Sequence, residues 1–134
     1  MKETVLVSKH CQHLYDEDAK LLEQVWTNSS ATMTTEDFKS VMLGYAGLYK
    51  EYDIKKVLVD SRFMRFTVVP AVQDWINTNV IVVIIPYLDK LAFLLSNDVF
   101  EEISIKQAID DNEEDLTFET RYFNSEEKAR QWLL

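Results

Sequence analysis

Pro70-Ala71-Val72-Gln73-Asp74-Trp75-Ile76-Asn77-Thr78-Asn79-Val80-Ile81-Val82-Val83-Ile84-Ile85 is the stretch on which the fold turns. Its first half is helical by spacing. Pro70 suits a first helical turn, and Val72, Trp75 and Ile76 fall three and four apart. Its second half, Val80 to Ile85, is entirely β-branched, which by propensity alone is a buried strand. Asn77-Thr78-Asn79 is a weak break, so the residues themselves leave helix and strand open.

The flanks are clearer. Upstream, Lys55-Lys56-Val57-Leu58-Val59-Asp60 is a short apolar strand, and Ser61 to Thr67 is a loop. Before it, Thr34-Thr35-Glu36-Asp37 caps a helix whose Phe38, Val41, Met42, Tyr45, Leu48, Tyr49 and Tyr52 form the strongest helical stripe in the chain. Gly44 and Gly47 interrupt that stripe, which points to close approach of the helix to a sheet or, alternatively, to a smooth patch for a partner helix. Earlier still, Thr4–Tyr15 and Ala19–Trp26 flank the acidic Asp16-Glu17-Asp18 break and read as a hairpin. In the second arm Leu22 and Trp26 share one face and Leu21 and Val25 the other, as in an inner strand.

Downstream, Lys90–Leu95 is a strand, and Ser96-Asn97-Asp98 caps a helix carrying Val99, Phe100, Ile103, Ile105, Gln107, Ala108 and Ile109. Asp110–Asp115 is an acidic loop without the ligand alternation or glycine of a calcium loop. Leu116–Phe123 is a last strand. Asn124-Ser125-Glu126-Glu127 has capping-box spacing before a closing helix with Ala129, Trp132 and Leu133 on its apolar face. The expectation is one α/β domain over residues 1–134, with a mixed sheet of about five strands and about four helices.

The 134 residues carry 14 Lys and Arg against 23 Asp and Glu, a net charge of −9, which disfavours binding to nucleic acid or anionic membranes. Two glycines leave no phosphate-cradling loop, and one cysteine excludes an internal disulfide and a multi-thiolate metal site. No apolar run approaches the roughly 20 residues of a membrane span, and no signal peptide opens the chain, so the predicted address is the cytoplasm.

Chemistry-bearing residues are few. In His10-Cys11-Gln12-His13, strand geometry puts Cys11 and His13 on one face and His10 on the other, too few ligands for zinc. Asp60, Ser61 and Arg62, with Arg65 nearby, lie at the carboxyl end of a central strand, where α/β sheets receive ligands. Two arginines there suit a carboxylate or phosphate, unless they pair with Asp60 or Asp74. With Trp75 these four form the candidate ligand- or partner-binding set.

Several pieces, in order, carry a family likeness. They are Leu14-Tyr15-Asp16, Trp26, Glu36-Asp37-Phe38, Val57-Leu58-Val59-Asp60-Ser61-Arg62, Trp75-Ile76, Lys90-Leu91-Ala92-Phe93 with Asn97-Asp98-Val99-Phe100, and the ending Arg121-Tyr122-Phe123 through Ala129-Arg130-Gln131-Trp132-Leu133. Together they resemble the STAS-like bacterial single-domain proteins related to sporulation anti-sigma-factor antagonists. The resemblance implies a STAS-type mixed sheet and one helix from Pro70 to about Ile85. It implies a non-enzymatic regulatory module that binds a protein partner and needs no cofactor. A helix apolar all round must be buried or contact a partner, so Val80–Ile85 is a candidate homodimer surface. Classical members are switched by phosphorylation of a serine followed by glycine; Ser61 is the counterpart here, but Arg62 follows it. The alternative function is binding of a small apolar ligand or lipid, as in the related CRAL-TRIO architecture, with Phe63-Met64-Arg65-Phe66 and the Val80–Ile85 helix as gate. An enzyme would require Asp60, Arg62 and one histidine to converge.

Overall fold

β3 (Leu21–Trp26) is where the sheet changes sense: it pairs antiparallel with β2 (Cys11–Asp16) and parallel with β4 (Lys56–Asp60). The computed structural model describes residues 2–102 and 118–134. Outward from β3 the sheet continues to β1 (Lys2–Val7) on one side and to β5 (Lys90–Leu94) and β6 (Glu119–Phe123) on the other, in the order β1-β2-β3-β4-β5-β6. The four strands from β3 to β6 run parallel. β3 is covered on both faces as its sequence predicts: Leu21, Leu22, Glu23, Gln24 and Trp26 are all buried.

The sheet has six strands where the sequence suggested about five. The Thr4–Tyr15 arm is two strands, separated by a tight turn at Ser8–Cys11 that contains neither glycine nor proline. Ser8 builds it: the Ser8 amide donates to the Cys11 carbonyl at 2.9 Å, and Ser8 Oγ accepts from the amides of His10 and Cys11. A hydroxyl that mimics backbone in this way leaves little trace in composition.

α1 (Thr35–Leu48) begins with the expected cap. Thr34 Oγ1 accepts from the Asp37 amide at 3.1 Å, and the Asp37 carboxylate accepts from the Thr34 amide at 3.0 Å. Gly44 explains itself, since a Cβ there would meet Leu6 Cδ2 at 3.0 Å; Gly47 faces open space.

The deciding stretch is helical. α2 (Pro70–Ile76) passes through a π turn (Asn77–Ile81) into α3 (Val82–Ile84), one continuous rod. Val72, Ile76, Val80 and Ile84 recur strictly every fourth residue. In a regular α-helix each such step overshoots by about 40°, about 120° over three steps, so the row would swing away from the core. The wider π turn takes up that excess. Val80 and Ile84 are each 1% exposed. Thr78 Oγ1 and Asn79 Nδ2 donate to the carbonyls of Asp74 and Trp75, at 3.0 and 2.9 Å, in the loosened turn. Packing of this row overrides the strand propensity of Val80–Ile85.

α4 is described over residues 97–102, and α5 (Glu126–Leu133) ends the fold, capped by Ser125 Oγ on the Lys128 amide. With the rod counted once, the described residues hold four helices. Ile103 to Ile109 of the expected stripe, the Asp110–Asp115 loop and Leu116 lie outside the described residues. Alternation along the strands sorts the core into two layers. Cys11, Tyr15, Leu22, Trp26, Val57, Val59 and Leu91 face α1 and the α2–α3 rod, while Leu21, Leu58, Ala92 and Leu94 face Ala129 and Leu133 of α5. Among the described residues no helix is long and apolar enough to cross a membrane.

Candidate functional site

The end of β4 divides the predicted site between the two faces. Asp60 has the parity of Leu58 and turns to the α5 face. There its carboxylate takes a forked pair from Arg62, Nε at 3.0 Å and Nη2 at 2.8 Å, and also accepts from the Arg62 amide. Arg62 reaches on to Glu126 at 3.1 Å, Glu126 to Arg130 at 3.0 Å, and Arg130 to Glu23, which Lys2 also grips at 2.8 Å. Six charges of alternating sign thus run across the back of the sheet. Burial alone would raise the Glu23 pKa, but Arg130 and Lys2 together hold it below the usual carboxylate range. The sequence anticipated an Asp60–Arg62 pair as the alternative to ligand binding; the partners on β1, β3 and α5 are distant in sequence.

The other predicted residues lie elsewhere. Ser61 turns to the α1 face and lines a cavity there. Arg65 donates its amide to Ser30 Oγ at 2.8 Å, which pins the loop to the turn after β3. Trp75 is half-buried on the rod with Lys39 Nζ 5.4 Å from its ring centroid. Asp60 and Arg62 therefore do not converge with either histidine, since His13 sits on the α1 face and His10 binds Ser29.

The cavity, about 220 Å³, lies between the sheet, α1 and the α2–α3 rod. Trp26, Val59, Leu91 and Phe93 form its floor; Phe38, Met42 and Tyr45 come from α1, and Ile76, Val80, Ile81 and Ile84 from the rod. Met64 and Val68 of the 61–69 loop line its open side, while Phe66 stacks on Phe38 at 4.8 Å between ring centroids. A cavity of about 150 Å³ already accepts a benzene ring, so this one exceeds a simple packing defect. Gln24, Ser61 and Gln73 are the polar side chains on its wall, apart from the Tyr45 hydroxyl, which bonds Tyr49.

Gln24 belongs to a buried polar relay. Its Oε1 accepts from Trp26 Nε1 at 3.1 Å, and its Nε2 stands 3.0 Å from His13 Nε2. The His13 ring stacks on Tyr45 and is 1% exposed, and burial lowers its pKa to about 4. Its Nδ1 has no partner among the described residues, and a buried donor left unpaired costs about 1–3 kcal/mol. Burial pushes the Cys11 thiol up to about 12, so it stays protonated near neutral pH. Gln24 lies outside the sequence-predicted set, and His13 enters the sequence reading only through the His10-Cys11-Gln12-His13 cluster and the enzyme alternative; the signal for Gln24 is a polar pair, Glu23-Gln24, inside a strand read as covered on both faces. Among the described residues no three His, Cys, Asp or Glu side chains stand together to hold a metal.

Comparison of the chain with family models, with curated proteins and with solved structures returns no match.

Proposed function

We propose that the protein is a binding module, STAS-like in architecture, that holds a small, mainly apolar ligand in the cavity between β3–β5, α1 and the α2–α3 rod. The observation that carries this reading is the cavity itself. Large side chains surround it on every layer, in a core that elsewhere buries Leu22, Val57, Leu58 and Leu94 at 2% exposure or less. The space opens to the surface on one side and its wall is mainly apolar, the character of a site for a small apolar ligand. Gln24 and Ser61 fix the orientation of a ligand with one polar end, and the 61–69 loop is its door.

The test is titration with 1-octanol, read by the fluorescence of Trp26 on the cavity floor. Saturable quenching or enhancement that disappears in Ile81→Trp, which fills the space from the rod, is expected. No saturable change in a folded protein sinks the reading. A second reading, the protein-partner module, draws on Val82, 63% exposed on the outer side of the rod while Val80 and Ile84 are buried. Its homodimer form predicts a concentration-dependent mass in sedimentation that Val82→Glu abolishes; a monomer at all concentrations excludes that form.

A further inference from the structure

We propose that the cleft between β1, the Ser8–Cys11 turn and α1 is a second binding site, for a small uncharged molecule whose hydrogen-bond acceptor docks on His13 Nδ1–H. The proposal is independent of the larger cavity and begins with proton bookkeeping along the buried relay. The Trp26 indole can only donate, so the Gln24 atom it meets at 3.1 Å is the oxygen. That leaves the Gln24 amide nitrogen, a donor, against His13 Nε2 at 3.0 Å. His13 Nε2 must accept, so the neutral ring carries its proton on Nδ1. His13 Nδ1 is therefore a donor, in a side chain 1% exposed, and it has no partner among the described residues.

His13 also lines a cleft of about 330 Å³, together with Leu6, Val7, Cys11, Ser40, Val41 and Gly44. Because Nε2 is committed to Gln24 on β3, the opposite edge of the buried ring, which carries Nδ1–H, is the edge left for β1 and that space. Among the described residues no ionisable group other than His13 and Cys11 is on the wall, and burial keeps both neutral. An anion would be desolvated there without a counter-charge, whereas a ketone, ester or amide carbonyl on a short aliphatic body meets a donor at one end and Leu6, Val7 and Val41 along the rest. Gly44 lets α1 pack closely on Leu6 where the two elements form the wall.

The experiment is a titration of ¹⁵N-labelled protein with 2-hexanone, followed by the imidazole nitrogen–proton correlations, with n-hexane as the control that lacks an acceptor. The expected result is a saturable shift of the His13 Nδ1–H signal with the ketone, none with the alkane, and none at His10. Ser40→Trp, at an exposed helix position on the cleft wall, is expected to abolish it, and His13→Phe to abolish ketone binding seen by saturation transfer. Ile81→Trp, which fills the other cavity, is expected to leave it intact. An Nδ1–H signal that stays put up to the solubility limit of the ketone, in contact with water alone, overturns the proposal. So does a shift that survives Ser40→Trp and vanishes in Ile81→Trp, because it would then report the larger cavity through Gln24.

Discussion

An imidazole whose pKa burial lowers from 6.5 to about 4 is neutral in the fold, while the same residue in the unfolded chain takes up a proton near its ordinary value. Between those two values the unfolded state binds the proton that the fold refuses. The stability contributed by His13 is therefore complete above pH 6.5 and declines as the pH falls, by about 3 kcal/mol at pH 4. Urea midpoints measured from pH 7.5 to 4 should show this slope, and His13→Phe, if folded, should flatten it. The carboxylates act later: Glu23, held below its usual pKa, loses its contribution only as the pH drops beneath the ordinary carboxylate value. Gly47 offers the opposite kind of residue effect. It sits exposed near the end of α1, with nothing within 4 Å of an added Cβ and no positive φ. Gly47→Ala is expected to stabilise the protein by about 0.5–1 kcal/mol, visible as a raised thermal midpoint.

At the scale of elements, the α2–α3 rod shows what the sequence discloses and where it stops. A helical start at Pro70 is legible from Pro70, Val72, Trp75 and Ile76, but Val80–Ile85 is ambiguous because propensity and packing point in opposite directions. The π turn has a sequence signal, the unbroken four-residue step from Val72 to Ile84, which a test against the 3.6 period alone passes over. Deleting Asn79 changes the row to steps of four, three and four, which an ordinary α-helix keeps on one face. The deletion is expected to leave the rod helical by circular dichroism and to change stability by no more than about 1 kcal/mol. Loss of folding would mean that the π turn is required in itself. The candidate site was less legible than the fold. Asp60 and Ser61 are adjacent in sequence yet face opposite layers, so proximity along the chain assigned them to one site while strand parity separates them. The sheet order also follows chain order, so no reversal of strands opens a crevice at the end of β4.

For the whole molecule, the ion-pair chain on the back of the sheet ties β1, β3, the end of β4 and α5 together. Arg130→Ala leaves Glu23, 8% exposed at its side chain, with Lys2 alone; the expected cost is about 2–4 kcal/mol in urea unfolding. Glu126→Gln, at a carboxylate 45% exposed, should cost less than about 1 kcal/mol. Equal effects would show that the contribution is diffuse charge and not the buried carboxylate. Glu23 has one further consequence. It is gripped from one side by the second residue of the chain and from the other by a residue of the final helix. Glu23 thereby buckles β1 to α5 without a covalent bond, and peeling away either element loosens the hold on the other.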